Sequence, residues 1–294
     1  MYYRRKIILS LLQVFDSQLQ KLSLQKLLFL FTRQQDKPEY DFVPYKFGCF
    51  SFSANADLIA MTKHGLLMEE KNGFSKIDQL DYISKLTEKD RENLFSVKKL
   101  YGKLSSDALM KLTYLNYHYY AINSVKAEEI LMDEDYRKIS EAKPKNDKIV
   151  LYTIGYEGIS LEEYLNRLVR NDVKVLVDVR KNAMSMKFGF SKSQIKNYCN
   201  SLNIGYIHVP EVGIQSDWRQ ELNTQSDYDS LFEKYKESNL TETVSHQEYI
   251  LNLLIQKQRI ALTCFEADIC QCHRKHLAEA ITRFPQWNYE LKHI

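Results

Sequence analysis

The chain has 294 residues, of which 44% are hydrophobic, so it can bury a sizeable core and has room for two domains. Its 41 Lys and Arg residues nearly balance its 38 Asp and Glu residues, and a net charge of +3 excludes a uniformly basic nucleic-acid-binding protein, which leaves only a local basic patch for such a partner. Five cysteines, three of them between residues 264 and 272, with no long apolar N-terminal segment and no apolar run near about 18 residues, predict a reduced, cytoplasmic protein that does not span a membrane.

Two helices and a hairpin are predicted in the first 80 residues. Apolar residues recur at helical spacing over residues 23–34 and again over residues 54–64, where Gly65 provides a stop signal. Asn72-Gly73 then lies between two candidate strands and predicts a tight hairpin, because both residues tolerate positive φ. Helices followed by a hairpin indicate a small winged-helix-like domain.

Four short motifs in this region suggest a family. They are LQKLLF at residues 24–29, FVPYKFG at 42–48, DLI at 57–59 and GLL at 65–67. With these motifs, residues 1–80 resemble the Panacea domain, also called the SocA-like antitoxin domain, although Gly48-Cys49 stands where that family usually has Gly-Pro. The resemblance implies a helical module that binds a protein partner, or DNA, rather than a catalyst. The alternative is a helical domain that only packs on its neighbour.

Residues 81–147 are predicted to be a helical, heavily charged connector. Apolar residues at helical spacing predict amphipathic helices around Leu94 and around Tyr114. The polar stretch 141–147, which contains Pro144, has the composition of a linker. A second domain is therefore expected over residues 148–294.

Strands alternate with helices in this second domain. Ser160 and Ser191 are candidate N-caps for two of the helices. The alternation predicts an α/β fold with a mainly parallel, Rossmann-like sheet and helices on both faces. The predicted strands cover residues 149–154, 173–179, 204–209, 260–264 and 289–294.

Reactive side chains follow each internal strand of this predicted sheet. In open parallel sheets, ligands bind outside the carboxyl ends of the strands, so these side chains are expected at one rim. The residues are Gly155 and Tyr156, Asp178 and Arg180, His208 and Glu211, and Cys264 and Glu266.

Asp178 and Arg180 lie two residues apart and share a face of their strand. Two interpretations stay open: a structural ion pair, or an anion-binding Arg180 with Asp178 as its orienting group or as a base. Glu266 follows an apolar strand into the rim, where desolvation would bring its pKa toward the range of a general acid or base.

The segment from Cys264 to Arg274 is the densest group of reactive residues. Cys272, His273 and Arg274 are predicted in or near the first turn of a helix, where the dipole favours anions. The cysteines and histidines here are candidate zinc ligands, but Cys270-Gln271-Cys272 is too tightly spaced for a standard knuckle. We therefore expect neither a metal nor another cofactor.

The second domain also resembles a known family. Its motifs are TIGY at residues 153–156, VDVR at 177–180, GFSK at 189–192, YIHVPEVG at 206–213, CFE at 264–266 and CHR at 272–274. These are similar to the motifs of the family known as domain of unknown function 488. Departures occur at Ala183, at Ser185-Met186, where many members carry arginine, and at Cys270.

The two carboxylates Asp178 and Glu266 and the two arginines Arg180 and Arg274 of the rim predict an enzyme that acts on a nucleotide or nucleic acid, by a hydrolytic step such as base excision. The alternative is a non-catalytic nucleotide sensor or partner-binding regulator of a defence or toxin–antitoxin type. The loop 181–190 is either a lid or a cap on the core. Expected catalytic residues are Asp178, Glu266 and His273, and expected substrate-binding residues are Gly155, Tyr156, Arg180, Lys192, His208, Glu211, Cys272 and Arg274.

Overall fold

The computed structural model describes residues 1–219, 222 and 224–294, except for the side chains of Ser216 and Arg219. The chain divides into two compact units, Met1–Lys143 and Pro144–Ile294. Within the described residues, no helix is long and apolar enough to cross a membrane.

The first unit is mainly helical. Its helices are α1 (Tyr3–Val14), α2 (Lys21–Thr32), α3 (Phe52–Lys63), α4 (Glu88–Tyr101), α5 (Ser106–Asn116), α6 (Ala127–Ile130) and α7 (Asp133–Ala142). Its strands are β1 (Gln18–Gln20), β2 (Val43–Tyr45), β3 (Gly48–Phe50), β4 (Leu67–Glu69) and β5 (Gly73–Lys76).

Helix α2 forms the centre of this unit, since every residue from Ser23 to Thr32 is buried. The residues predicted as a charged connector contribute Leu94, Val97 and Leu109 to the same core. The core therefore extends well beyond residue 80.

The predicted hairpin is present, but its turn lies one residue earlier than expected. Glu69 pairs with Phe74, and the Glu70 amide donates to the Gly73 carbonyl at 2.9 Å, so Lys71 and Asn72 form the turn. Gly73 belongs to β5, where a Cβ would lie 2.5 Å from the carbonyl oxygen of Leu19 on β1. Close approach of a third strand, rather than turn geometry, requires this glycine.

The second unit is the predicted α/β domain. Its strands β6 to β10 form a sheet in the order β10-β6-β9-β7-β8, with every recorded pairing parallel. They are β6 (Val150–Gly155), β7 (Val175–Asp178), β8 (Gly205–His208), β9 (Arg259–Cys264) and β10 (Glu290–His293). The helices are α8 (Leu161–Arg170), α9 (Lys192–Ser201), α10 (Gln225–Tyr235), α11 (Val244–Lys257) and α12 (His273–Ile281).

The central strands β6, β7 and β9 are buried along their whole length, as their continuous apolar runs predict. Ser160 caps α8 by accepting a hydrogen bond from the Glu163 amide. Ser191 precedes α9 but does not cap it through its side chain; its hydroxyl donates to Gln194 Oε1 at 2.8 Å instead. Because the strands are parallel, the carboxyl ends of β6, β7 and β9 meet at one edge.

Candidate functional site

A cavity of about 270 Å³ opens at this edge of the sheet. Tyr156 follows β6, Arg180 follows β7, Cys264 ends β9 and His273 begins α12, and all four line the cavity. Four of the predicted site residues therefore meet at one concave surface. Further lining residues are Lys181, Asn182, Met184, Ser185, Ile214 and Phe265.

Asp178 and Arg180 form a buried bidentate ion pair beside the cavity. Arg180 Nε donates to Asp178 Oδ1 at 2.8 Å, and Nη2 donates to Oδ2 at 2.5 Å. Tyr206 on β8 donates its hydroxyl to the same Oδ2 at 2.7 Å. Asp178 is fully buried and does not line the cavity, so this geometry favours the structural interpretation of the pair.

The other Arg180 nitrogen, Nη1, also donates within the protein, to the Tyr156 hydroxyl at 2.7 Å and to the Phe190 carbonyl at 2.9 Å. Burial opposes the charge of the guanidinium, but the Asp178 carboxylate outweighs burial and raises the pKa of Arg180. Arg180 is thus a permanently charged group that fixes the position of Tyr156.

Arg274 holds the loop that follows β9. It donates from Nη1 to the Glu266 carbonyl and from Nη2 to the Ala267 carbonyl, the latter at 3.2 Å. Its Nε is buried and, within the described residues, has no hydrogen-bond partner. The structure therefore directs Arg274 toward main-chain oxygens rather than into the cavity.

Gly155 allows the same loop to approach β6. A Cβ at this position would lie 2.0 Å from the Glu266 carbonyl oxygen. The amides of Tyr156 and Glu157 donate to the Phe265 carbonyl at 3.1 and 2.9 Å. Gly155 is therefore a positioning residue for the loop that carries Glu266.

Two thiols, a carboxylate and an imidazole converge within this loop and the start of α12. Cys264 Sγ and Cys272 Sγ donate to Glu266 Oε2 at 3.1 and 3.0 Å. Cys264 Sγ lies 3.6 Å from His273 Nδ1. Both cysteines and His273 are buried, whereas Cys270 is exposed.

The His273 ring is oriented by the backbone. Its Nε2 lies 3.1 Å from the carbonyl oxygen of Val179, an acceptor, so Nε2 carries the proton and Nδ1 presents its lone pair toward Cys264. Burial, followed by Cys264 and Glu266, raises the pKa of the Cys272 thiol well above its usual range. Two thiols and one imidazole thus have their donor atoms within 4.8 Å of one another, with the Glu266 carboxylate hydrogen-bonded to both thiols.

Lys192, His208 and Glu211 do not line the cavity, and neither do Gly155, Glu266, Cys272 and Arg274. His208 Nε2 donates to the Arg180 carbonyl at 2.8 Å, which leaves Nδ1 to accept from Lys192 Nζ at 2.9 Å. Glu211 is exposed, and its carboxylate lies 3.9 Å from His246 Nε2. Lys192 and His208 therefore support the loop of Arg180, and Glu211 stands apart.

The cavity also contains residues that the sequence analysis did not select. Lys181, Asn182 and Ser185 come from the loop after Arg180, and Phe265 lies beside Cys264. The mixture of lysines and apolar residues in the loop was the available signal. Met184 and Met186 are exposed, which contradicts the interpretation that they cap the core.

Residues 160–281 match the family described as Domain of unknown function DUF488. The C-terminal unit carries a DUF488 domain. The match includes Asp178, Arg180, Cys264, Glu266 and His273, and it begins after Gly155 and Tyr156. No curated protein matches the chain.

Proposed function

We propose that the DUF488 domain is an enzyme that hydrolyses a bond in a nucleotide or nucleic acid, and that the reaction takes place in the cavity at the strand ends. The observation that carries this proposal is the convergence of Cys264 and His273, with Glu266 beside them, on a cavity that Tyr156 and Phe265 also line. A carboxylate, an imidazole and aromatic rings are the groups that general acid–base work on a planar substrate requires.

The size and lining of the cavity support a substrate group such as a nucleobase. About 270 Å³ is close to the lower end of small-molecule sites, which favours one base or nucleoside over a longer segment. Tyr156 is stacked on Phe190 with ring centroids 4.3 Å apart, so one of its faces is covered. Phe265 is 42% exposed and offers a ring on which a base would stack.

The charged groups have separate roles in this proposal. Most N–H groups of Arg180 and Arg274 donate to acceptors within the protein, so these residues contribute positive charge and hold the loops around the cavity in place. Lys181 is exposed on the cavity wall and provides the contact to phosphate. Glu266 takes the proton of an attacking water; in base excision that water adds to the sugar carbon, and the base leaves with the electron pair of the glycosidic bond.

Glu266→Gln tests this proposal, with Glu211→Gln as the control because Glu211 is an exposed carboxylate near His246, whereas Glu266 contacts the thiols of Cys264 and Cys272. Nucleotides, nucleosides and single-stranded oligonucleotides are screened for turnover by mass spectrometry and for binding by calorimetry. We expect Glu266→Gln to keep binding and to lose turnover by roughly two to four orders of magnitude, while Glu211→Gln remains active. Binding without turnover in the unmodified protein would favour the nucleotide-sensing regulator instead.

We also propose that the first unit recruits a protein partner, in line with its resemblance to the Panacea domain. A cavity of about 340 Å³ there is lined by the apolar and aromatic residues Leu22, Tyr45, Phe47 and Phe50 together with Lys21, Gln25, Lys26, Gly48 and Cys49, and Phe47 is 46% exposed. Cross-linking capture of partners by the full chain, compared between the unmodified protein and Phe47→Ala, tests this role. Binding of duplex DNA that Phe47→Ala abolishes would show that the partner is DNA.

A further inference from the structure

We propose that Cys264, Cys272 and His273 form a binding site for a divalent cation of the zinc class. The two sulfur atoms and one ring nitrogen lie within 4.8 Å of one another. Thiolate and imidazole are the ligands that zinc prefers, and three such donors leave one position of its tetrahedral shell for water or substrate. This proposal does not depend on the hydrolytic function.

The separation between Cys264 and His273 fits a metal of this size. Bond lengths of about 2.3 Å for Zn–S and about 2.0 Å for Zn–N at tetrahedral angles place sulfur and nitrogen about 3.5 Å apart. Cys264 Sγ and His273 Nδ1 are separated by 3.6 Å. Glu266 Oε2 accepts a hydrogen bond from each sulfur, at 3.1 and 3.0 Å, so this carboxylate lies beside the ligand set without belonging to it.

The imidazole is already oriented as a metal ligand. Its Nε2–H is held by the Val179 carbonyl at 3.1 Å, so the lone pair of Nδ1 points to the side of Cys264. Metal-binding histidines usually donate their second N–H to a carbonyl or carboxylate, which fixes the tautomer and the ring plane. Val179 would therefore be the outer partner of His273.

The site is built on regular structure. Cys264 is the last residue of β9, Cys272 is the N-cap of α12 and His273 is its first residue. Arg274 and Gly155 keep the intervening loop in place through the Glu266 main chain. Cys264 and His273 also line the cavity, so a bound cation would be accessible from it, as in metal sites that keep one position for water or substrate.

A disulfide between Cys264 and Cys272 is the competing use of these residues. The position of Glu266 argues against it, because Oε2 accepts a hydrogen bond from each thiol. A disulfide has no proton to donate and would place its sulfur lone pairs against the carboxylate. Reduced sulfur atoms suit the observed arrangement, and a cation would take the place of the two protons.

Spacing along the chain did not reveal this site. The short pair is Cys270-Gln271-Cys272, but Cys270 is exposed and outside the cluster. The ligand set instead combines Cys264 with Cys272, which lie on either side of a loop. Arg274 holds this loop by a hydrogen bond to the Glu266 carbonyl. The proposed ligand set thus differs from the close cysteine pair on which the expectation of no zinc was partly based.

Cobalt titration of the reduced, chelator-treated full chain tests the proposal. Cobalt(II) replaces zinc in such sites and reports thiolate ligation by a sulfur-to-metal charge-transfer band. We expect one equivalent of cobalt to bind, to release two protons into a weak buffer, and to be displaced by zinc. Absence of stoichiometric binding by folded, reduced protein would overturn the proposal, whatever the variants do.

Variants identify the ligands. Cys264→Ser, Cys272→Ser and His273→Gln should each weaken binding by more than the roughly 10–100-fold expected from loss of an outer partner. Cys270→Ser is the matched control and should bind as the unmodified protein does. Equal affinities in Cys264→Ser, Cys272→Ser and Cys270→Ser would place the metal elsewhere. A disulfide would instead be established if the non-reduced protein had two fewer titratable thiols and a mass lower by two hydrogens than the reduced protein. Cys264→Ser should then show no such mass difference between its reduced and non-reduced forms.

Discussion

Asp178 and Arg180, two residues apart at the carboxyl end of β7, bind each other through both carboxylate oxygens, with Nε–Oδ1 at 2.8 Å and Nη2–Oδ2 at 2.5 Å. The pair is buried, and Tyr206 adds a third donor at 2.7 Å. Because Arg180 also donates to Tyr156, the pair connects β7 and β8 with the residue that follows β6. A change in either partner is therefore expected to alter stability before it alters ligand contact.

Arg180→Ala should lower the free energy of unfolding of the second unit by roughly 3–5 kcal/mol, because Asp178 would remain buried without its counter-ion. Both tryptophans, Trp218 and Trp287, lie in this unit, so urea denaturation followed by tryptophan fluorescence reports on it selectively. Lys236→Ala is the control, since the Lys236–Glu233 pair is exposed and should change stability by less than about 1 kcal/mol. Unchanged stability of Arg180→Ala with loss of nucleotide binding would support an anion-binding Arg180.

Gly155→Ala should destabilise the second unit by roughly 1–3 kcal/mol and displace the Glu266 loop, because the added methyl would meet the Glu266 carbonyl at 2.0 Å. Gly158→Ala is the comparison: no atom lies within 4 Å of its Cβ position, and only its φ of 75° opposes the side chain. Thermal melts of both variants, with the cobalt titration, measure the effect. If Gly155→Ala binds cobalt as the unmodified protein does, the loop position does not control the site.

Residues 144–294 should fold without the first unit. The apolar cluster of the second unit runs from Leu151 to Ile281 and belongs to this unit alone. A fragment that contains only these residues is expected to melt in one cooperative transition with the same fluorescence midpoint as the full chain. A fragment that is soluble but melts without cooperativity would contradict this division.

The first unit should lose stability as the pH rises above about 10. Burial, followed by its hydrogen-bond partner Asp78, raises the pKa of Tyr82 to about 12, and burial raises the pKa of Tyr114 to about 12. Unfolded tyrosine ionises near about pH 10, so between about pH 10 and 12 the folded state binds more protons and its stability falls. The stability that the protonated Tyr82 and Tyr114 contribute is fully present below about pH 10.

Urea denaturation followed by far-UV circular dichroism at several pH values checks this dependence. Tyr114→Phe should flatten the decline between about pH 10 and 12, because phenylalanine has no proton to lose. Tyr2→Phe is the control, since Tyr2 is 68% exposed. Equal slopes for Tyr114→Phe and the unmodified protein would show that other groups cause the decline.

The sequence alone determined the α/β architecture of the second unit. The buried runs of β6, β7 and β9 are apolar on both faces, and Ser160 caps α8, so pattern and local capping predict these elements where they occur. The rim followed from the same reasoning, because the carboxyl ends of parallel strands must share an edge. Both results depend on the spacing of apolar residues along the chain and on the direction of the strands, which residues close in sequence specify.

Tertiary structure decided what each rim side chain faces. Arg180 and Arg274 look alike in the sequence as anion-binding residues, yet their donors reach Asp178, Phe190 and the Glu266 main chain, partners that only the folded loops provide. Hydrogen bonds to main-chain carbonyls have no sequence signal, because every residue carries one.

The same limit applies to Gly73 and to the cysteine cluster. Gly73 is required by the approach of Leu19 from a distant strand, and Cys264 meets Cys272 because the chain folds back between them. Residue type and spacing determined which chemical groups this protein has at its rim. Which of them meet was decided by the close approach of segments that are separated in sequence, since burial forces each polar group to find a partner in space.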